Sequence, residues 1–419
     1  MKPMNLTLLE LRKLLKGPVI LVAIIAIFAL NILNFMTTGN SYYAPGSPES
    51  AEHIAAAQEN GAYFKGAITE EWSEKYFAEA EAIRTDPANR VSGQEAVEIM
   101  AELKAQGYEE EYIEEHLGFL FMKEEVKRSN LYTRFEPVEV SMKFYEHAAQ
   151  MGASYGQLYR LQYPGEKGEA LAARAEADYG SLASDYTAYY NYDLGYQRMS
   201  NILLLYHNTL AVLMIVGLSG IFSNEYTRKT DALLLSSRHG KRRLALAKLQ
   251  AGLLFSVAAW LLMTLLNLCL TTYYFGWEGW EAYWQDWYIN TAPWQWNQGI
   301  AMAAAIATSL LGTLYFALVM MAVSALARTP LVSVLAGFVI IVLPSIELGE
   351  TGLAVLNGVF HFMPSSLMRG PLIWMGYMTN YLFGHVVLCQ PLILVVAVLV
   401  SIACGLLAIR WYERHQVSN

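Results

Sequence analysis

Six stretches of this chain are apolar for long enough to cross a bilayer core of about 30 Å, a burden that no soluble fold of ordinary size has to bury. They run from Pro18 to about Phe35, from about Asn201 to Phe222, from Ala251 to Tyr273, from Gly299 to Ala327, from Leu331 to Ile346 and from His385 to Trp411. Backbone polar groups in lipid must be satisfied within the segment, so each stretch predicts a helix, and the class is an all-α integral membrane protein with six transmembrane helices. The composition agrees, with 55% hydrophobic and 16% charged residues among 419. The fifth stretch is the shortest, and Pro344 near its end leaves its boundary the least defined. The first is too long for the apolar region of a signal peptide and is followed by no small-x-small cleavage site, so it is expected to remain as an anchor.

Charge placement sets an orientation independently of the span count. Between Thr38 and Ser200 there are 28 Asp and Glu against 14 Lys and Arg, a net charge of −14. The basic residues outside that segment gather on the opposite side of the predicted spans: Lys2, Arg12, Lys13 and Lys16 before the first, Arg328 between the fourth and fifth, Arg410 and Arg414 at the end. Seven more, Arg228, Lys229, Arg238, Lys241, Arg242, Arg243 and Lys248, lie between the second and third spans beside only Glu225 and Asp231. Arg369 is the exception. The positive-inside rule then makes both termini cytoplasmic, which an even number of spans requires. The pI of about 5.6 is therefore the average of an acidic exterior and a basic interior face, and nucleic-acid binding is not implied. Cys269, Cys389 and Cys404 all fall inside apolar stretches, so the acidic segment folds without disulfides.

That acidic segment, 38–200, is too long for a simple loop and is expected to be a large, mainly helical extracellular domain. Gln94 to Lys104, Tyr108 to Lys127 and Ala170 to Ala177 are rich in helix formers, and Ser92 stands three residues before Glu95 as a cap-like start. The one weak strand candidate, Phe135 to Met142, contains Pro137. Close to the membrane the segment becomes aromatic, with Tyr179, Tyr186, Tyr189, Tyr190, Tyr192 and Tyr196. The turn between the third and fourth spans carries Trp277, Trp280, Trp284, Trp287, Trp294 and Trp296 with Glu278, Glu281 and Asp286. An interfacial aromatic belt and an aromatic vestibule for an amphipathic substrate both fit this pattern.

The first sixteen residues predict a helix lying in the inner interface rather than a span. Met4, Leu8, Leu11 and Leu15 share a face, Lys13 and Lys16 point away from it, and Gly17 with Pro18 breaks the direction before the first span. The segment 347–384 predicts a re-entrant pair of half-inserted helices. Two apolar pieces, Leu353 to Met363 and Pro371 to Phe383, are each too short to cross and flank Pro364, Ser365, Ser366 and Pro371; a loop along the outer surface is the alternative.

No catalytic constellation is visible. His53, His116, His147, His207, His239, His361, His385 and His415 lack metal-ligand spacing with Cys or carboxylates. No phosphate-cradling G-x-x-x-x-G-K-[ST] run is present either. The polar residues within spans, Asn31, Asn34, His207, Asn208, Asn267 and Gln390, suit helix-to-helix hydrogen bonding better than catalysis. In the basic loop, Thr230 or Asp231 can cap a short helix, Ala232 to Leu235 give it an apolar side, and Gly240 can end it. A cytoplasmic loop collects Lys and Arg in any case, and its Leu triplet can equally rest on the membrane.

The stretch from Asn224 to Lys248 resembles a segment of the permease subunits of type 2 ATP-binding-cassette (ABC) exporters. In that family a Glu, a Thr, a Leu pair, Ser-Arg and a basic run leading to Lys form a coupling helix that docks on the ATPase. The matching residues here are Glu225, Thr230, Leu233, Leu234, Ser237, Arg238 and Lys248, with Asp231 beside Thr230. The six spans, the interfacial helix and the re-entrant segment resemble the family too, over roughly residues 1–37 and those after 200; the long 38–200 insertion departs from its simplest members. The resemblance implies a transport subunit of the bacterial plasma membrane with no nucleotide site of its own. ATP and Mg would be bound by a partner ABC ATPase, and a second permease chain would complete a homo- or heterodimer. A membrane-anchored receptor using the outer domain is the alternative. A secondary transporter ranks lower, because no Asp, Glu, Lys or Arg lies deep in the apolar stretches.

Overall fold

The structure, a computed structural model, describes residues 3–37, 45–91, 93–108, 120–127, 129, 131, 134–227, 242–285, 290–346 and 355–414. Two compact units divide the chain. The first joins residues 1–50, 194–277 and 299–419, and the second joins 51–193 and 278–298.

In the first unit, helix α1 (Pro3–Leu15) is followed after Gly17 by α2 (Pro18–Thr37). Pro18 opens α2 where its missing N–H costs nothing, and none of the helix's twenty residues is charged. Only Ile20, Ile27, Asn31 and Phe35 of α2 are buried, a stripe at helical spacing, while Val19, Val22, Ile25 and Leu33 stand open on its other side. In the second unit, α3 (Pro48–Phe64) leads to the short strand β1 (Gly66–Ala67), and Thr69 caps α4 (Glu70–Thr85) by accepting from the Trp72 N–H. Helices α5 (Gly93–Ala105) and α6 (Glu124–Lys127) follow. The Ser92 cap and most of the helix expected over Tyr108–Lys127 fall outside the described residues. Helix α7 (Glu136–Gln162) occupies the weak strand candidate, because Pro137 sits in its first turn, where a proline is tolerated. It pairs with α8 (Glu166–Asp185) as a helical hairpin, fastened by stacked Tyr155 and Tyr179 and by Arg160 bridging Glu169 and Glu176.

Strand β2 (Tyr189–Tyr190) pairs antiparallel with β1. The second unit is then completed by its distant stretch. Tyr283 joins a core of Phe64, Tyr76, Ala80, Phe135 and Tyr190. Tyr179 and Tyr186 donate to the carbonyls of Thr291 and Trp296, Tyr145 donates to Gln285, and Trp284 is 4% exposed. Of the rings expected in a membrane-surface belt or vestibule, Tyr179, Tyr190 and Trp284 are interior to this unit, whereas Trp280 is exposed. Burial pushes the Tyr186 and Tyr192 hydroxyls up to about 12, as expected for phenols withdrawn from water.

The remaining helices return to the first unit: α9 (Leu194–Leu218), α10 (Ser223–Thr227), α11 (Arg242–Phe275), α12 (Gln298–Leu326) and α13 (Pro330–Val342). Among the described residues five helices are long and apolar enough to cross a membrane: α2, the run from α9 through α10, α11, α12 and the last helix, α17 (Cys389–Arg414). Within this unit α9 is the core, 67% of its apolar window being buried against 22% for α2 and α17. Helix α13, the expected fifth span, is 13 residues, roughly 20 Å, and a 3-10 turn at Pro344 closes it. Between α13 and α17 come α14 (Val355–Phe360), α15 (Pro364–Met368), α16 (Leu372–Met375) and a hairpin of β3 (Thr379–Leu382) with β4 (His385–Leu388). The last span therefore starts at Cys389 rather than His385. His385 to Leu388 is apolar but pairs as a strand, a distinction that length and hydropathy do not make. Helices α9 and α11 overrun their apolar stretches, which brings Arg198 and Lys248 inside them. Arg198 is buried with its guanidinium over the Phe35 and Phe275 rings and donates to the Phe35 carbonyl.

Candidate functional site

Helix α1 packs along α11 with the face that carries Thr7 and Glu10, and Leu6, Leu11 and Leu14 are half-buried beside it. Thr7 Oγ1 donates to Gln250 Oε1 at 2.7 Å, and Thr7 and Glu10 are buried. Leu8 and Leu15 of the expected apolar face are 55% and 44% exposed. A short helix whose Thr7 and Glu10 meet protein while Leu8, Leu9 and Leu15 stay open is suited to lie against lipid.

Glu10 meets a cluster that gathers four elements. Lys248, in the second turn of α11, places Nζ 2.8 Å from Glu225 Oε1 and 3.1 Å from Glu10 Oε2, and donates to the Ile221 carbonyl at 2.8 Å. An ammonium has three donors, so its capacity is filled. Tyr412 of α17 donates to the other Glu225 oxygen at 2.8 Å, and Lys13 donates to Glu10 Oε1. The side chains of Lys248, Glu10 and Glu225 are 4%, 5% and 11% exposed. Charges this dry persist only when each is paired and hydrogen-bonded, as these are. Burial by itself would raise the Glu10 carboxyl, but Lys248 and Lys13 outweigh it and hold the group below its ordinary value.

The turn from α9 into α10 is fixed from the other side. Ser324 Oγ of α12 accepts from the N–H groups of Phe222 and Ser223 and donates to the Ser219 carbonyl at 2.7 Å, and Phe222 packs 5.3 Å from the Tyr412 ring. Glu225 and Lys248, the first and last of the residues singled out in the basic loop, are thus in direct contact and pinch its two flanks together. Thr230, Asp231, Leu233, Leu234, Ser237 and Arg238 lie outside the described residues.

A second polar assembly surrounds the proline-serine segment. Pro364, Ser365, Ser366, Leu367 and Met368 of α15 are all buried, as is Pro371. Ser366 Oγ donates to the Phe360 carbonyl at 2.9 Å. The Met368 carbonyl accepts from Ser309 Oγ of α12 at 3.1 Å, and Ser309 in turn accepts from Trp260 Nε1 at 3.2 Å and lies 3.1 Å from the Tyr206 hydroxyl. Tyr206 also reaches Thr264 at 3.2 Å. Gly312 permits this seat, since a Cβ there would overlap the backbone of Leu367 and Met368. Gly370 then turns the chain with φ of +60° against the Ala305 carbonyl. Beside it Arg369 Nε donates to His207 Nε2 at 3.3 Å, while His207 Nδ1 is 2.6 Å from the Leu204 carbonyl. A carbonyl only accepts, so Nδ1 carries the hydrogen and Nε2 is the acceptor.

Glu10, Tyr412, Ser309 and Tyr206 had no distinguishing local pattern. Glu10 alone left a trace, as the first acid of a basic segment with no other acid before Glu49. Among the described residues no three His, Cys, Asp or Glu side chains gather as metal ligands.

The architecture is that of a multi-pass, mostly helical membrane protein whose basic loop is clamped at both flanks. Residues 4–408, nearly the whole chain, match the family described as ABC-2 family transporter protein, and the chain belongs to it. It is accordingly a membrane permease subunit of an ABC transporter, a class that associates with an ABC ATPase. A search of the curated proteins finds no match.

Proposed function

We propose that the chain is the permease of an exporter in which a separate ATPase chain, holding ATP and Mg, acts on the segment 228–241 as a coupling helix. The observation that carries this reading is the Lys248–Glu225 contact at 2.8 Å, backed by Glu10 and Tyr412. Force applied to a loop reaches the spans only if its flanks are joined to them, and here Glu225 of α10 and Lys248 of α11 meet each other, Glu10 of α1 and Tyr412 of α17 at one point. In this reading α13 is the fifth of six spans, 38–200 with its partner stretch is extracellular, 347–384 enters and leaves the membrane from outside, and both termini are cytoplasmic in a bacterial plasma membrane. Two such chains, identical or related, enclose the pathway.

The test is co-purification with an ABC ATPase followed by ATP hydrolysis in the assembled complex. Leu234→Pro, which breaks a helix in the proposed coupling segment, is expected to abolish permease-dependent stimulation of hydrolysis. Glu225→Gln is expected to reduce it while the ATPase remains bound. Unchanged stimulation in both variants sinks the coupling assignment.

A further inference from the structure

We propose that α1 is a receptor for anionic phospholipid headgroups, wired through Glu10 to the Lys248–Glu225 pair. Arg12, Lys13 and Lys16 are exposed at its C-terminal end, and Leu8, Leu9 and Leu15 are exposed along it. Leucines that enter acyl chains beside cations that stay at phosphate level are what an anionic membrane surface selects. The occupant is a bilayer rather than a soluble partner because α1 runs through Lys16 and Gly17 directly into α2, a helix apolar and long enough to cross a membrane, whose Val19, Leu21, Val22 and Ile25 are exposed. Charge complementarity then selects anionic lipid. Among the described residues Arg12 and Lys16 have no acidic partner, and Glu10 is the acid that faces Lys13.

The wiring follows from Lys13. It donates to Glu10 Oε1, while Glu10 Oε2 holds Lys248, which Glu225 shares. A lipid phosphate that captures Lys13 removes one of the two cations on Glu10. Glu10 then draws more strongly on Lys248 and loosens its hold on Glu225, the flank of segment 228–241. Only this last consequence rests on the coupling reading above; lipid binding does not.

Native mass spectrometry of the purified full chain, exposed to phosphatidylcholine and phosphatidylglycerol together, reads the binding. Wild type is expected to retain phosphatidylglycerol in preference. Each cation removed should weaken that retention by about fivefold, and R12Q/K13Q/K16Q by roughly a hundredfold. Glu10→Gln should strengthen it several-fold, because Lys13 is released to the lipid. A purely structural Glu10 would not move lipid affinity. The conservative R12K/K16R variant should bind as wild type, and K13Q alone serves if the triple variant melts early. Equal retention of both lipids, or a triple variant that binds like wild type, overturns the receptor; an unchanged E10Q overturns the wiring. In nanodiscs, the complex with its ATPase should change its hydrolysis rate when phosphatidylglycerol replaces phosphatidylcholine. Lipid retention without that change keeps the receptor and places the failure in the coupling reading.

Discussion

The Lys248 cluster ties α1, α10, α11 and α17 together, and the Ser309 cluster seats α15 against α9, α11 and α12, yet one is ionic and the other neutral. Around Lys248 every member carries or meets a charge, and removing one leaves another uncompensated in a dry site. Around Ser309 the partners are hydroxyls, an indole and a carbonyl, each able to accept a replacement at modest cost. An ionic cluster has alternative pairings of similar energy and suits a part that rearranges. A neutral seat built on the missing side chain of Gly312 has one arrangement and suits a part that stays in place.

That contrast is broken or sharpened by a graded series of variants. Lys248→Met should have the largest effect, a loss of about 3–5 kcal/mol from two stranded carboxylates, seen as a fall in melting temperature in detergent. Adding Glu10→Gln and Glu225→Gln to it should recover most of that loss. An equal loss in single and triple variants would show that packing, not charge, is responsible. Tyr412→Phe comes next, at about 1.5–3 kcal/mol, because its hydroxyl serves an ionised acceptor. Gly312→Ala should cost about 1–3 kcal/mol by forcing α15 off α12, with no dependence on salt or pH. Ser309→Ala is expected near 1 kcal/mol, measured as the same melting shift, since its partners can re-pair within the bundle.

The smallest effect is a pH dependence. Glu10 has its carboxyl lowered in the folded state, so the stability it contributes is fully present above its ordinary value of 4.5 and is lost as pH falls through the lower folded value. Wild type should therefore lose melting temperature faster than Glu10→Gln on acidification below that point. Parallel curves would remove the charge from Glu10's role.

The apolar stretches were legible because crossing a bilayer is a condition on consecutive residues. The same simplicity misplaced the start of α17, where His385 to Leu388 satisfies hydropathy but pairs with Thr379 to Leu382. It also left the aromatic residues ambiguous. Tyr179 and Trp284 are buried because 278–298 folds with 51–193, a pairing of distant stretches that no local window contains. Of the loop residues singled out, Glu225 and Lys248 are in contact, while Thr230 to Arg238 fall outside the described residues. Ser365 and Ser366 are buried, and the seat of their segment on Ser309 and Gly312 had no periodic signal.

The sequence by itself determined that this is a multi-pass membrane protein with a basic loop between two long apolar helices, and the order of its residues there pointed to the permease family it belongs to. Hydropathy and charge bias act segment by segment, so they survive without knowledge of the fold. Only the tertiary structure decided that Glu10 of α1 and Tyr412 of α17 converge on Lys248 and Glu225, residues 238 and 187 positions apart in the two outer contacts. Ion pairs form between whatever side chains helix packing brings within reach, and in a bundle that choice is made by the packing rather than by the neighbours in the chain.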